Sequence, residues 1–309
     1  MRIVFMGTPE AAVPALRRLL EDGHEIAAVW TRPDRAAGRG NKLLAPPVKV
    51  LAQLFGLKIY QPEKIRTEEA KSLFASHDAD LGVVVAYGRI LPARFLSAPK
   101  RGCINVHFSL LPLYRGAAPV NWAIINGEEK TGVTTMFIEE ELDSGPILLQ
   151  REAQIGEIDT APELMGRLAE MGAELLAETL AQLAEITPRP QHDRDATFAP
   201  MLRKENGLID WSKNAFVVER TIRGLQPWPN AYTNHQTHRL IVWRAIAASA
   251  EMSNAVPGEV VASQGDDLIV KCGGETMLRL IEVQPEAKRR MTVRDFMNGT
   301  HLKMGDIIS

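Results

Sequence analysis

Cysteine is scarce in this 309-residue chain: Cys103 and Cys272 stand far apart, with no partner spacing. That excludes a disulfide framework and a cysteine-based zinc site, and it fits a reducing, cytoplasmic setting. Long apolar runs are also missing. None reaches the roughly 18 residues of a membrane span, and the chain opens directly on the strand-like "MRIVFMG" rather than on a basic leader, so secretion is not expected. Charge of one sign is missing too. The formal net charge is −2, so any affinity for nucleic acid must come from a local patch. No G-x-G-x-x-G follows the first strand, which leaves a dinucleotide site unsupported. No internal repeat is found, and no metal is implied.

What is present alternates. Arg2–Met6, Glu25–Trp30, Leu57–Tyr60 and Leu81–Ala86 read as strands, with helical patterns near 9–21, 46–55 and 63–76 between them. "LGVVVAY" is apolar throughout, as a strand buried on both faces must be. Alternation of this kind predicts an α/β domain with a doubly wound, mostly parallel, Rossmann-like sheet. Such sheets bind ligands beyond the carboxyl ends of their strands, where the strand order reverses. After Gly7, Thr8 is placed to cap a helix with Pro9 at its first position; a plain βα turn and an anion contact are both open there.

Thr160–Ile186 predicts one long helix, with Thr160 and Glu163 at capping-box spacing and Leu164, Leu168, Met171 and Leu175 on one face. The proline-broken stretch "TPRPQHDRDATFAP" (187–200) reads as a linker. Beyond it, short strand patterns at Leu240–Ala245, Gly258–Ala262, Leu268–Lys271 and Met277–Val283 predict a second, smaller C-terminal β-barrel (OB-like) domain. The expected division is a catalytic domain over 1–189, a linker over 190–207 and a barrel over 208–309.

The stretch "INVHFSLLPLYRG" (104–116) is the unusual one. Ile104, Val106 and Phe108 alternate with Asn105, His107 and Ser109, so the polar three share one strand face. An amide and an imidazole on an otherwise apolar strand need partners or a cavity. Downstream, "EELDSGPIL" puts Asp143 after the strand candidate Thr131–Ile138. Asp143 by itself equally fits a common turn, and His107 by itself a hydrogen-bonded core histidine. Together, amide, imidazole and carboxylate suit acyl transfer: donors for a developing oxyanion, and a carboxylate to orient the ring. A Ser109 nucleophile is disfavoured because no G-x-S-x-G elbow surrounds it.

Asn105-x-His107, Ser109-Leu110-Leu111-Pro112, Arg115-Gly116 and "ELDSG" together resemble the signature of the 10-formyltetrahydrofolate-dependent formyltransferases. "MGTPE", "PDRAAGRGNKL", "PPVK", "VVVAYGRILP", "GCINVH", "RGAAPV", "IDW" and "PWP" follow, in order from residue 6 to residue 229, those members that formylate methionyl-initiator tRNA. The resemblance implies transfer of the formyl group of 10-formyltetrahydrofolate to the α-amino group of the charged tRNA, by a monomer. It implies Asn105, His107 and Asp143 as the catalytic three. Ser109, Leu110, Leu111 and Pro112 would contact the folate. Ala86, Tyr87, Ile90 and Leu91, with the Glu140–Asp143 loop, would form an apolar slot for the pterin. Phe108 stands where that family commonly has Gly, and is expected to narrow the pocket or re-aim the strand end.

"TRPDRAAGRGNKLLAPPVK" (31–49) carries Arg32, Arg35, Arg39, Lys42 and Lys49 against Asp34 alone, a local +4. Its glycines predict a mobile loop rather than packed structure. Arg35, Arg39 and Lys42 are the expected tRNA contacts, against the alternative of a solvated surface turn. Arg239–Arg244 and Lys288–Arg290 could extend the basic track, though scattered solvated charge explains them as well. Two other functions stay open: formylation of a sugar-nucleotide amine on the same scaffold, and a catalytically inert RNA-binding protein, which would not need Asn105, His107 and Asp143 together.

Overall fold

The computed structural model describes the chain apart from residues 38–41, 236–237, 250–253 and 301, with the backbone alone at 37 and 42. It divides into two compact units. The first comprises Met1–Pro119, Lys130–Gln154 and Met165–Pro200; the second comprises Val120–Glu129, Ile155–Leu164 and Met201–Ser309.

The first unit holds strands β1 (Arg2–Gly7), β2 (Glu25–Trp30), β3 (Arg35–Ala37), β4 (Lys42–Leu44), β5 (Ile59–Tyr60), β6 (Leu81–Val85), β7 (Cys103–His107), β8 (Arg115–Gly116), β9 (Lys130–Phe137), β10 (Ile147–Gln154) and β11 (Phe198–Ala199). Seven of them form one sheet in the order β10-β9-β7-β6-β1-β2-β5. From β5 to β7 all neighbours are parallel; β9 and β10 add an antiparallel edge. Every residue of β6 is buried, which is why that run carries no polar side chain. The order reverses between β1 and β6, so their carboxyl ends, Gly7-Thr8 and Ala86-Tyr87, flank a switch-point crevice. The end of β7 is the next one along.

Helices form where an apolar stripe and a stop signal coincide. Val13–Glu21 buries Val13, Ala15, Leu16 and Leu19 and has Pro in its first turn. Glu68–Ala75 is capped by Thr67, whose hydroxyl accepts from the Ala70 N–H. Thr8 does not cap, contrary to expectation. Pro9 takes the cap position of a 3-10 turn, and the Thr8 hydroxyl instead donates to the Tyr87 carbonyl at 3.1 Å, tying β1 to β6 at the switch point. The long helix runs Ala161–Ala181, and Glu163 accepts from both the N–H and the hydroxyl of Thr160. Residues 187–200 are stitched to the first unit: Arg189 exchanges two 2.8 Å backbone bonds with Ile147, and β11 pairs with β8.

Strands β3 and β4 correct the reading of 31–49 as an unpaired loop, because they pair antiparallel as a hairpin. Lys49 is not a free cation either; it forms a 2.7 Å ion pair with Asp34.

The second unit contains β12 (Ala231–His235), β13 (His238–Ser249), β14 (Val260–Gln264), β15 (Asp267–Cys272), β16 (Thr276–Pro285) and β17 (Met291–Thr292). They form an antiparallel sheet in the order β12-β13-β16-β15-β14, with β17 on β16. Leu240 and Val242, Leu268 and Val270, and Leu278 and Leu280 are buried at alternate positions, as the period-two pattern requires.

Candidate active site

β7 carries the polar pair to the carboxyl end of the sheet, between β6 and β9. Its other face is apolar. Val106 and Phe108 pack where a Cβ on Gly172, in the long helix, would meet them at 2.9 and 3.5 Å. Phe108 is therefore buried against the helix side, opposite Asn105 and His107, a placement that favours re-aiming of the strand end over a narrowed folate pocket.

His107 is buried, and its Nε2 lies 3.0 Å from the Tyr114 carbonyl oxygen. A carbonyl only accepts, so Nε2 carries the hydrogen. Nδ1 lies 3.6 Å from Oδ2 of Asp143, close enough for charge attraction but too long for a hydrogen bond. Nδ1 is thus the nitrogen left free for a ligand, with a carboxylate beside it. The same Asp143 oxygen accepts from the Gly116 N–H at 2.8 Å. Asn105 is half-buried, and its amide makes no hydrogen bond among the described residues. The free amide supplies N–H donors beside the anchored imidazole, whose Nδ1 donates only when the ring is protonated.

The Asp143 loop is tightly constrained. Asp143 has φ +51°, in the left-handed region. A Cβ on Gly145 would collide with the Phe137 carbonyl oxygen, so only glycine fits there. Gln191 donates to the carbonyls of Asp143 (2.9 Å) and Gly145 (2.7 Å).

Other nucleophiles are disfavoured by their surroundings. The Ser109 hydroxyl donates to the Leu113 carbonyl at 2.6 Å. Burial pushes the thiols of Cys103 and Cys272 up to about 12, so neither is a thiolate at neutral pH.

The residues expected around the folate fall into two groups at neighbouring strand ends. After β6, Ala86 and Ile90 are exposed, while Tyr87 and Leu91 are buried in a core cluster with Trp30, Phe74 and Phe95. After β7, Ser109 and Leu111 are buried, and Leu110 and Pro112 are half-buried. Thr134 on β9 holds this turn, donating to the Ser109 carbonyl (2.7 Å) and accepting from the Leu111 N–H (3.1 Å). Of the expected tRNA contacts, Arg35 is exposed on β3; Arg39 and the side chain of Lys42 lie outside the described residues.

Sequence reasoning missed Tyr114, Gly116, Thr134 and Gln191. Arg115-Gly116 carried a signal as part of a motif. Tyr114 touches the site through its backbone carbonyl, and Thr134 and Gln191 reach it from segments distant in the chain, which no local spacing announces.

Two comparisons of sequence bear on this arrangement. A formyl transferase family model matches residues 1–180, and the model of the formyl transferase C-terminal domain matches residues 201–301. A methionyl-tRNA formyltransferase of Caldanaerobacter subterraneus subsp. tengcongensis is 48% identical over 315 residues, covering 100% of both chains. Among solved structures, the fold is similar to WlaRD, a sugar 3N-formyl transferase (TM-score 0.67, 19% identity, 94% of this chain and 99% of that one). It is also similar to HypX from Aquifex aeolicus in complex with tetrahydrofolic acid (TM-score 0.65, 17% identity, 98% of this chain); the chain spans about half of HypX, 48% of its length. The family-model matches and the full-length identity place the chain in the formyl transferase family, alongside the methionyl-tRNA formyltransferases.

Proposed function

We propose that the chain transfers the formyl group of 10-formyltetrahydrofolate to the α-amino group of methionyl-initiator tRNA, giving N-formylmethionyl-tRNA for translation initiation. The observation that carries the chemistry is the free Asn105 amide beside Nδ1 of His107, with Asp143 3.6 Å from that nitrogen. The full-length 48% identity to a methionyl-tRNA formyltransferase supports tRNA as the acceptor over a sugar amine, whose enzymes resemble this chain at 19%.

The neutral amine attacks the formyl carbon, forming a new C–N bond and driving the carbonyl electrons onto oxygen. The Asn105 amide and an Nδ1–H on His107 donate to that oxyanion. The Nε2–H anchor on Tyr114 keeps the ring aimed, and the Asp143 carboxylate lies beside the donating nitrogen. The attacking nitrogen sheds a proton to Asp143, directly or through water. The bond to the folate nitrogen then breaks, the carbonyl reforms, and the leaving nitrogen takes up a proton, so no net proton is consumed. Ser109–Pro112 and the Ala86–Leu91 stretch hold the folate at neighbouring strand ends. The basic stretch of the sequence with Arg35, Arg39 and Lys42 meets tRNA phosphates.

The formyltransferase chemistry belongs to residues 1–189 together with 190–200, which are stitched to the same unit, and tRNA binding extends to 208–309, in a cytoplasmic monomer. No helix among the described residues is long and apolar enough to cross a membrane. The test is incubation with 10-formyltetrahydrofolate and charged initiator tRNA, followed by detection of formyl-methionine. Uncharged tRNA should give none. A chain that formylates a sugar-nucleotide amine and leaves methionyl-tRNA untouched would overturn the reading.

A further inference from the structure

We propose that Gln191, in the proline-broken segment after the long helix, is a positioning residue that holds Asp143 in its working orientation; this rests on the formyl-transfer reading above. Three hydrogen bonds to oxygen and nitrogen partners meet on its amide, besides a 3.8 Å contact of Nε2 with Sδ of Met136. Nε2 lies 2.9 Å from the Asp143 carbonyl and 2.7 Å from the Gly145 carbonyl, and Oε1 lies 3.0 Å from Nε of Arg115. Chemistry dictates the orientation: a guanidinium only donates, so the amide oxygen must face Arg115 and the –NH2 must face the two carbonyls. Arg115 is itself buried and held by Asp193 at 2.9 Å.

The network grips both sides of the site. Asp143 sits at φ +51°, a conformation an L-residue leaves when nothing holds it. Gln191 binds the carbonyl of that strained residue and the carbonyl two residues on. Its partner Arg115 lies between Tyr114, whose carbonyl anchors His107, and Gly116, whose N–H binds the Asp143 carboxylate. The same polar segment pins these residues again: the Tyr114 N–H donates to the Thr197 hydroxyl at 2.8 Å, and the Arg115 N–H to the Thr197 carbonyl at 2.9 Å. One side chain thus joins the loop bearing the carboxylate to the loop bearing the imidazole anchor. Loss of its donors leaves the Asp143 backbone free to relax, and the carboxylate then drifts from Nδ1.

The measurement is steady-state formylation by Gln191→Met and Gln191→Glu, each made in the wild-type chain and in an Asp143→Asn background. Melting temperatures are recorded for all. Met removes donors and acceptor at similar length. Glu keeps an acceptor for Arg115 but sets an oxygen against the two carbonyls. Both should lower kcat by about 10–100-fold, as small misplacements of catalytic groups do, with KM for either substrate within about twofold. In the Asp143→Asn background the further loss should shrink below about threefold, because groups acting through one another are non-additive. An equal loss in both backgrounds, an unchanged kcat, or failure of both variants to fold would each overturn the proposal, the last by making Gln191 a residue of the fold alone. A wild-type chain that formylates nothing would instead sink the parent reading.

Discussion

The Nδ1 atom of His107, at the end of β7, and Oδ2 of Asp143, on a loop, lie 3.6 Å apart and are anchored by one backbone turn: Tyr114 accepts from the imidazole and Gly116 donates to the carboxylate. This geometry leaves the ring one free nitrogen, next to the free amide of Asn105. Removing an oxyanion donor costs roughly 10²–10³ in rate. Asn105→Ala, His107→Ala and Asp143→Ala are therefore each expected to lose formylation on that scale while melting near the wild-type temperature. Near-normal turnover in all three would rule out the site.

Phe108 packs against the helix side of β7, away from the polar face. Truncating a buried Phe costs about 3–5 kcal/mol. Phe108→Ala should show a loss of that size in denaturant titration, with affinity for a folate analogue unchanged. An altered affinity at preserved stability would return Phe108 to the pocket.

His77 is a buried ring that accepts from Trp30 Nε1–H at 3.1 Å and packs beside Tyr60, 4.9 Å between centroids. Burial, and then the charges of Arg2 and Lys58, hold its pKa below the ordinary 6.5. The neutral ring belongs to the folded state, whereas the unfolded chain takes a proton below 6.5. The stability His77 supplies is thus complete above that value and is lost as pH falls from it towards the lower folded value. Melting temperature should decline from pH 7.5 to 5.5, and less steeply in His77→Gln. Parallel slopes would contradict the assignment.

Arg35 is exposed on β3, Arg39 and Lys42 follow it in the basic stretch of the sequence, and Lys49 is neutralised by Asp34. Each phosphate contact steepens the salt dependence of binding by roughly 0.7–0.9. Arg35→Ala, Arg39→Ala and Lys42→Ala should weaken tRNA binding and flatten its salt slope, with Arg39 losing most, since a guanidinium grips a phosphate with two bonds. Folate affinity should not move. Unchanged tRNA affinity and slope in all three would leave the hairpin a solvated surface feature.

Period and run length in the sequence determined β1, β2, β6 and β7, because a strand buried on both faces admits only apolar residues and a strand with one polar face shows its alternation. They also put Asn105 and His107 on one face and the reversal of strand order near them. Asp143 entered through a motif, since a short acid before Ser-Gly looks like any turn. Only the tertiary structure decided which nitrogen of His107 is free, because that depends on a carbonyl seven residues away. It also turned Phe108 towards the helix, paired 35–37 with 42–44, and set Lys49 on Asp34. Gln191 was invisible in sequence for the same physical reason. Its partners are carbonyls 46 and 48 residues back along the chain, and a backbone carbonyl has no residue type to be recognised by.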